Sequence, residues 1–146
     1  MVTYAHPRPS VTVDIVLLRF RSSGPEILLI QRKKDPFEGQ FALPGGFVGL
    51  EEPLEAAAAR ELEEETGFSG ITLQQIYTFG EPDRDPRGRV ISVAFGGILS
   101  ADSCQEPRPA SDARAASWHP ARKLPPLAFD HNLIIQKTFQ VLEKHP

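Results

Sequence analysis

Apolar and polar positions fall into blocks that read as strands interleaved with two helices. Val11 to Phe20 is β-branched and apolar, interrupted by Asp14, and predicts a strand. Ser22-Ser23-Gly24-Pro25 predicts a turn, and Glu26 to Gln31 returns as a hairpin partner. Lys33 to Gln40 is a polar loop around Pro36. Ile71 to Phe79 and Val90 to Leu99 predict two further strands, joined by the charged loop Gly80 to Arg89. Pro107 to Asp112 reads as irregular, Ala115 to His119 as a short strand, and Ala121 to Pro126 as a break. From Asp130 to about Lys144, apolar residues at Leu133, Ile134, Phe139 and Leu142 predict an amphipathic helix with Asp130 as N-cap. Strands interleaved with two helices predict an α/β fold in which a mixed sheet is covered on both faces.

The other helix is the more informative. Pro53 suits the first helical position and Gly67 the left-handed residue that ends a helix. The residues from Leu54 to Leu62 are mostly strong helix formers. At ~100° per residue, Glu61, Glu64 and Glu65 share one arc, beside an apolar stripe of Leu54, Ala58 and Leu62. Glu63 projects to the far side and is read as solvated. An ordinary solvated helix intersperses Lys or Arg at i+4, whereas this one has only Arg60 among its acids. Carboxylates this close do not all stay ionised at neutral pH without a counter-charge. A divalent cation supplies one, and through it a phosphate-bearing substrate. The preceding turn, Leu43-Pro44-Gly45-Gly46-Phe47-Val48-Gly49, lets backbone groups approach such a ligand closely.

Composition narrows the class. The chain has 146 residues, suited to a single domain over residues 1–146 with residues 1–10 as an extended arm. It carries 16 Lys plus Arg against 19 Asp plus Glu, a formal net charge of −3, which gives no reason to expect a nucleic-acid or membrane partner. The sole cysteine, Cys104, excludes an internal disulfide and fits a reducing cytoplasm. Met1 to Pro9 lacks the apolar run of a signal peptide, and no apolar segment approaches membrane-spanning length.

Gly46, Glu52, Arg60, Glu61, Leu62, Glu64, Glu65, Gly67 and Phe68 match every fixed position of the Nudix box, and the chain resembles the Nudix hydrolase family. The resemblance extends from the strand before Leu43 to Trp118 and the last helix. It implies an α/β/α sandwich with a mixed sheet and two main helices. It also implies hydrolysis of a nucleoside diphosphate linked to another group, assisted by one to three Mg²⁺ or Mn²⁺ ions. Glu61 and Glu65, at i and i+4, can hold metal from successive turns, and Glu64 can share a metal or accept the proton of the attacking water. By resemblance, a backbone carbonyl near Gly46 completes the coordination. Arg60 is read as an orienting residue for Glu52 or a box carboxylate. The candidate catalytic set is therefore Glu64, Glu61, Arg60 and Glu52, with Gly46, Glu61, Glu64 and Glu65 at the metal.

Substrate choice rests on the loop after Phe79. Thr78 to Ser92, with Pro82, resembles the ADP-ribose pyrophosphatase branch, as does Leu124 to His131. Arg84, Arg87 and Arg89 are candidate contacts to phosphate or a terminal ribose, and Glu81, Asp83 or Asp85 a candidate base; the other reading is a solvated charged loop. Arg32 is a further candidate phosphate contact. Phe41, with Phe37 and Phe129, is a candidate for stacking on adenine, against core packing as the default. Asp112 is either an extra acidic ligand or a turn residue, and His119 and His131 are read as structural. The expected reaction is ADP-ribose to AMP and ribose 5-phosphate. The alternatives are hydrolysis of oxidised nucleoside triphosphates or dinucleoside polyphosphates, and a non-catalytic ADP-ribose sensor. Against the sensor stand the whole box and the lack of an added DNA-binding domain. The resemblance favours a homodimer, with the Pro-rich N-terminal arm as a possible contact.

Overall fold

The computed structural model describes residues 3–108 and 113–144. Asp112 lies outside the described residues. Seven strands and two helices run in the order β1 (Ser10–Arg21), β2 (Gly24–Arg32), β3 (Phe41–Ala42), β4 (Gly45–Phe47), α1 (Leu54–Thr66), β5 (Gln74–Phe79), β6 (Val90–Ile98), β7 (Ala113–Pro120) and α2 (His131–Lys144). All seven strands form one mixed sheet whose main path is β3-β2-β1-β6-β5, with β7 on β2 and β4 on β1. Among the described strands β1 and β6 pair in parallel, from Ser10↔Val90 to Leu18↔Ile98, and the other ladders are antiparallel.

The central position of β1 explains why its residues from Thr12 to Leu18 are all buried. Strands covered on both faces lose the usual apolar–polar alternation. Val13, Ile15 and Leu17 pack with Ala57, Ala58 and Leu62 of α1. Val16 and Leu18 pack on the opposite face with Ile134 and Ile135 of α2. The α/β/α sandwich expected from the sequence is thus the architecture observed.

The site is positioned by a splay in this sheet. β1 and β2 pair as a hairpin near their turn, from Leu18↔Ile27 to Arg21↔Gly24. Farther from the turn they part. There β3 pairs with Ile30 and Gln31 of β2, while β4 pairs with Thr12 to Asp14 of β1. The segment 41–47 therefore crosses between the two strands, with the Ile15 amide donating to the Pro44 carbonyl at 2.9 Å.

Three boundaries differ from expectation. Pro53 is the N-cap residue of α1 rather than its first helical residue, with an extended backbone at φ −63° and ψ 151°. Gly67 ends the helix in the left-handed conformation, φ 83°, as expected. β5 starts at Gln74, three residues later than its apolar pattern suggested. Asp130 immediately precedes α2, but its carboxylate is spent on Arg84 rather than on a helix N–H.

Candidate active site

Three glutamates of α1 rise in graded exposure along one face. Glu65 is buried, Glu61 is half-buried and Glu64 is exposed. Glu63 faces solvent on the far side. The Glu65 Oε1 accepts the Gly45 N–H at 2.7 Å. Glu61 lies against Gly46 so tightly that a Cβ there would sit 2.5 Å from its carboxyl carbon. A side chain at position 46 would therefore have to displace the Glu61 carboxylate. The crossing segment and the acidic helix are thus closed on each other.

Electrostatics at this contact favour a cation. Burial, with repulsion from Glu61 and Asp14, pushes the Glu65 carboxyl up to about 8 despite the Gly45 N–H. Burial also raises Glu61 above its ordinary value, against the pull of Arg60. These oxygen donors suit hard Mg²⁺ or Mn²⁺, which would stabilise both ionised forms. Among the described residues no group of three or more Asp, Glu, His or Cys side chains is already arranged to hold a metal ion.

Arg60 reaches three of the acids at once. Nε and Nη2 grip Glu52 as a fork at 2.6 and 2.9 Å, Nη1 donates to Glu61 at 2.8 Å and Glu64 at 3.2 Å, and Nη2 reaches the Phe47 carbonyl at 3.2 Å. All five guanidinium N–H groups are engaged. The Arg60 hydrogen bonds, with one from the Gly49 amide, hold Glu52 down at about 2. Glu52 is thus fixed as a carboxylate anchoring Arg60 to the turn before the helix.

Beside the glutamates lies a cleft of about 110 Å³, floored by Asp14 and Glu65 and rimmed by Arg32, Arg84, Arg87 and Phe129. The predicted arginines divide here. Arg84, with a side chain only 4% exposed, makes a two-point ion pair with Asp130 at 2.6 and 2.9 Å. Arg87 pairs with buried Asp85 at 2.7 Å and stacks over Phe47 and Phe129, at 4.9 and 5.2 Å from their ring centres. Arg89 is not brought to the cleft: it donates to the Gly80 carbonyl and closes the base of the loop. Arg32 is brought to the cleft, donating to the Pro36 carbonyl at 2.7 Å while lying 5.0 Å over the Phe129 ring.

Phe41 does not line the cleft. It packs edge-on against His119 and against the α2-side core, because its strand position points it inward. Phe129 takes the aromatic place at the cleft, in contact with Phe37 at 4.8 Å. Both of these phenylalanines adopt left-handed backbones, φ 53° and 62°, which are uncommon for bulky side chains. Glu81 and Asp83 are exposed, and His119 bonds to Ser117 away from the cleft.

Sequence reasoning did not reach Asp14 as a site residue. It is buried in the cleft floor, accepts a hydrogen bond from the Ser92 hydroxyl and faces His131. The available signal was its place as the one acid inside the apolar run of the central strand. Burial lowers the pKa of His131 and keeps it neutral.

A mixed sheet between two helices, with glutamates of one helix closed over a glycine turn, defines the class: the NUDIX domain family model matches residues 8–140, and the chain belongs to the Nudix family. An ADP-ribose pyrophosphatase of Methanocaldococcus jannaschii is 43% identical over 138 residues, covering 91% of this chain and 73% of that protein. The ADPR responsive transcriptional repressor NtrR of Acinetobacter baylyi is 36% identical over 92% of this chain, which spans only 54% of the repressor. The solved NUDIX domain of Shewanella oneidensis NrtR, in complex with ADP ribose, superposes with a TM-score of 0.85 at 32% identity, covering 94% of this chain and 91% of that one.

Proposed function

We propose that this chain hydrolyses the pyrophosphate of ADP-ribose, giving AMP and ribose 5-phosphate, with Mg²⁺ or Mn²⁺ held by Glu61, Glu64, Glu65 and the backbone at Gly46. The observation that carries the reading is Glu65, buried and bonded to Gly45 at the floor of a cleft rimmed by arginines. The 43% identity to a protein named for this activity supports the substrate. Water forms a bond to one phosphorus, the bridging oxygen leaves with the other phosphate, and a water proton passes to a carboxylate. Exposed Glu64 suits that proton. Arg60 and Glu52 keep the acids in register, while Arg32 and Arg87 hold the phosphates or ribose. When bound, the divalent cation polarises a phosphoryl oxygen and offsets the growing charge. A homodimer and a cytoplasmic location belong to the same reading.

Initial rates on ADP-ribose, diadenosine tetraphosphate and 8-oxo-dGTP, each with and without Mg²⁺, test the assignment. Fastest Mg²⁺-dependent turnover on ADP-ribose is the expected result, and preference for either other substrate overturns it. The second reading, an ADP-ribose sensor, draws on the similarity to the repressor. Tight ADP-ribose binding without metal-dependent hydrolysis would select it.

A further inference from the structure

We infer that His131, backed by Asp14 and Ser92, is a positioning residue that fixes the Leu43–Gly46 turn for cation binding from the face of the sheet opposite the acidic helix. The inference rests on the metal-site reading above. Its starting point is an orphan amide. Leu43 lies between β3 and β4, where the chain crosses the splay from one ladder to the other, so its N–H has no strand partner. It donates instead to His131 Nδ1 at 3.0 Å, across 88 residues of sequence. A backbone amide can only donate, so Nδ1 is the acceptor and the neutral ring carries its proton on Nε2. Nε2 faces Asp14 Oδ1 at 3.4 Å, and the other Asp14 oxygen accepts the Ser92 hydroxyl. All three side chains are buried. The Leu43 amide is thus hydrogen-bonded to an imidazole whose other edge faces, at 3.4 Å, a carboxylate anchored on β1 and β6.

The turn so fixed carries the metal-facing groups. Two residues after Leu43, the Gly45 N–H holds Glu65 Oε1 at 2.7 Å, and the next residue presses on Glu61. Gly45 itself is closed against Asp14, where a Cβ would lie 2.5 Å from Oδ1. His131 and Glu65 thus hold the same four-residue segment from opposite sides of the sheet. Loss of the Nδ1 acceptor frees the Leu43 amide and, with it, the placement of Gly45 and Gly46.

The test compares His131→Asn with His131→Gln, because the shorter amide places an acceptor near Nδ1 and the longer one near Nε2. Mn²⁺ binding is measured calorimetrically without substrate, followed by the Mg²⁺ dependence of ADP-ribose hydrolysis. His131→Gln is expected to weaken Mn²⁺ binding about tenfold, the scale of lost second-layer support at metal sites, and to raise the Mg²⁺ needed for half-maximal rate alike. KM for ADP-ribose at saturating Mg²⁺ should stay unchanged, and His131→Asn should recover most of the loss. Equal Mn²⁺ affinity in wild type and a folded His131→Gln overturns the inference, as does equal impairment of both variants. If His131→Gln fails to fold while His131→Asn folds and binds Mn²⁺ normally, the role is stability alone and the inference also fails. Wild-type protein that binds no Mn²⁺ overturns the metal-site reading itself, and the positioning role with it. Wild-type binding with no ADP-ribose turnover overturns only the substrate, leaving the Mn²⁺ comparison to decide the role of His131.

Discussion

Replacing Glu65 with Gln separates charge from shape at the centre of the site. The amide oxygen can still accept the Gly45 N–H, now made at 2.7 Å, so the turn keeps its contact. What disappears is a buried carboxyl raised from 4.5 to about 8, with burial as the main cause. That displacement spans between three and four powers of ten, which at about 1.4 kcal/mol each is roughly 5 kcal/mol at most. The sign follows from proton linkage. In metal-free protein the folded state keeps a proton that the unfolded state sheds, so stability is fullest below about 4.5 and declines as pH rises through 8. A bound divalent cation reverses this by favouring the ionised form, so its stabilising effect should grow over the same interval. Thermal unfolding near pH 5 and near pH 8, in EDTA and in excess Mg²⁺, checks both trends. Wild type in EDTA should lose on the order of 10 °C between them, given about 2–4 °C per kcal/mol for a chain of this size. Glu65→Gln should lose much less, gain little from Mg²⁺ and show no metal-dependent turnover. An unchanged pH slope in the variant, or full retention of its Mg²⁺ response and activity, refutes the assignment.

Other substitutions test the supporting frame. Arg60→Lys keeps the charge but cannot reproduce five directed donors, so kcat should fall about 10–100-fold with the fold intact; a wild-type kcat contradicts the orienting role. Arg84→Ala leaves Asp130 without its buried partner and should cost about 3–5 kcal/mol in urea unfolding; loss of under about 1 kcal/mol shows the pair to be dispensable. Arg87→Gln should raise KM for ADP-ribose about tenfold, whereas exposed Arg89→Gln should change stability by less than about 0.5 kcal/mol and KM hardly at all. Equal KM effects at the two positions would refute the division of the loop.

Much of this arrangement was legible because its causes are local. The apolar run from Val11 to Phe20 reads as a strand, and it is observed as β1, Ser10–Arg21. Spacing alone places Glu61, Glu64 and Glu65 on one helix face, and it leaves Arg60 as their only basic neighbour. The illegible parts depend on distant partners. β3 and β4 are two and three residues long, too short for any period, and exist because the splay offers them ladders. Asp130 satisfies the local rule for a cap, yet Arg84, 46 residues earlier, claims its carboxylate with a stronger charged fork. Phe41 and Phe129, read alike from the sequence, take different places for a similar reason: strand direction buries the first, while the second has a left-handed backbone and lines the cleft. No local pattern encodes that difference.

The start of α2 shows why the two halves of the site belong to one mechanical unit. Phe129 lies under Arg32 and Arg87, Asp130 grips Arg84, and His131 holds Leu43. Three successive residues thus reach the arginine loop and the turn beneath the acids of α1. A shift of this short segment cannot move one without the other, because the first turn of α2 is itself tied to the buried core by Ile134 and Ile135. The acidic helix alone accounts for charge at the site. Its register against the loop after Phe79 comes from the other side of the sheet, through residues that carry no part of the acidic motif.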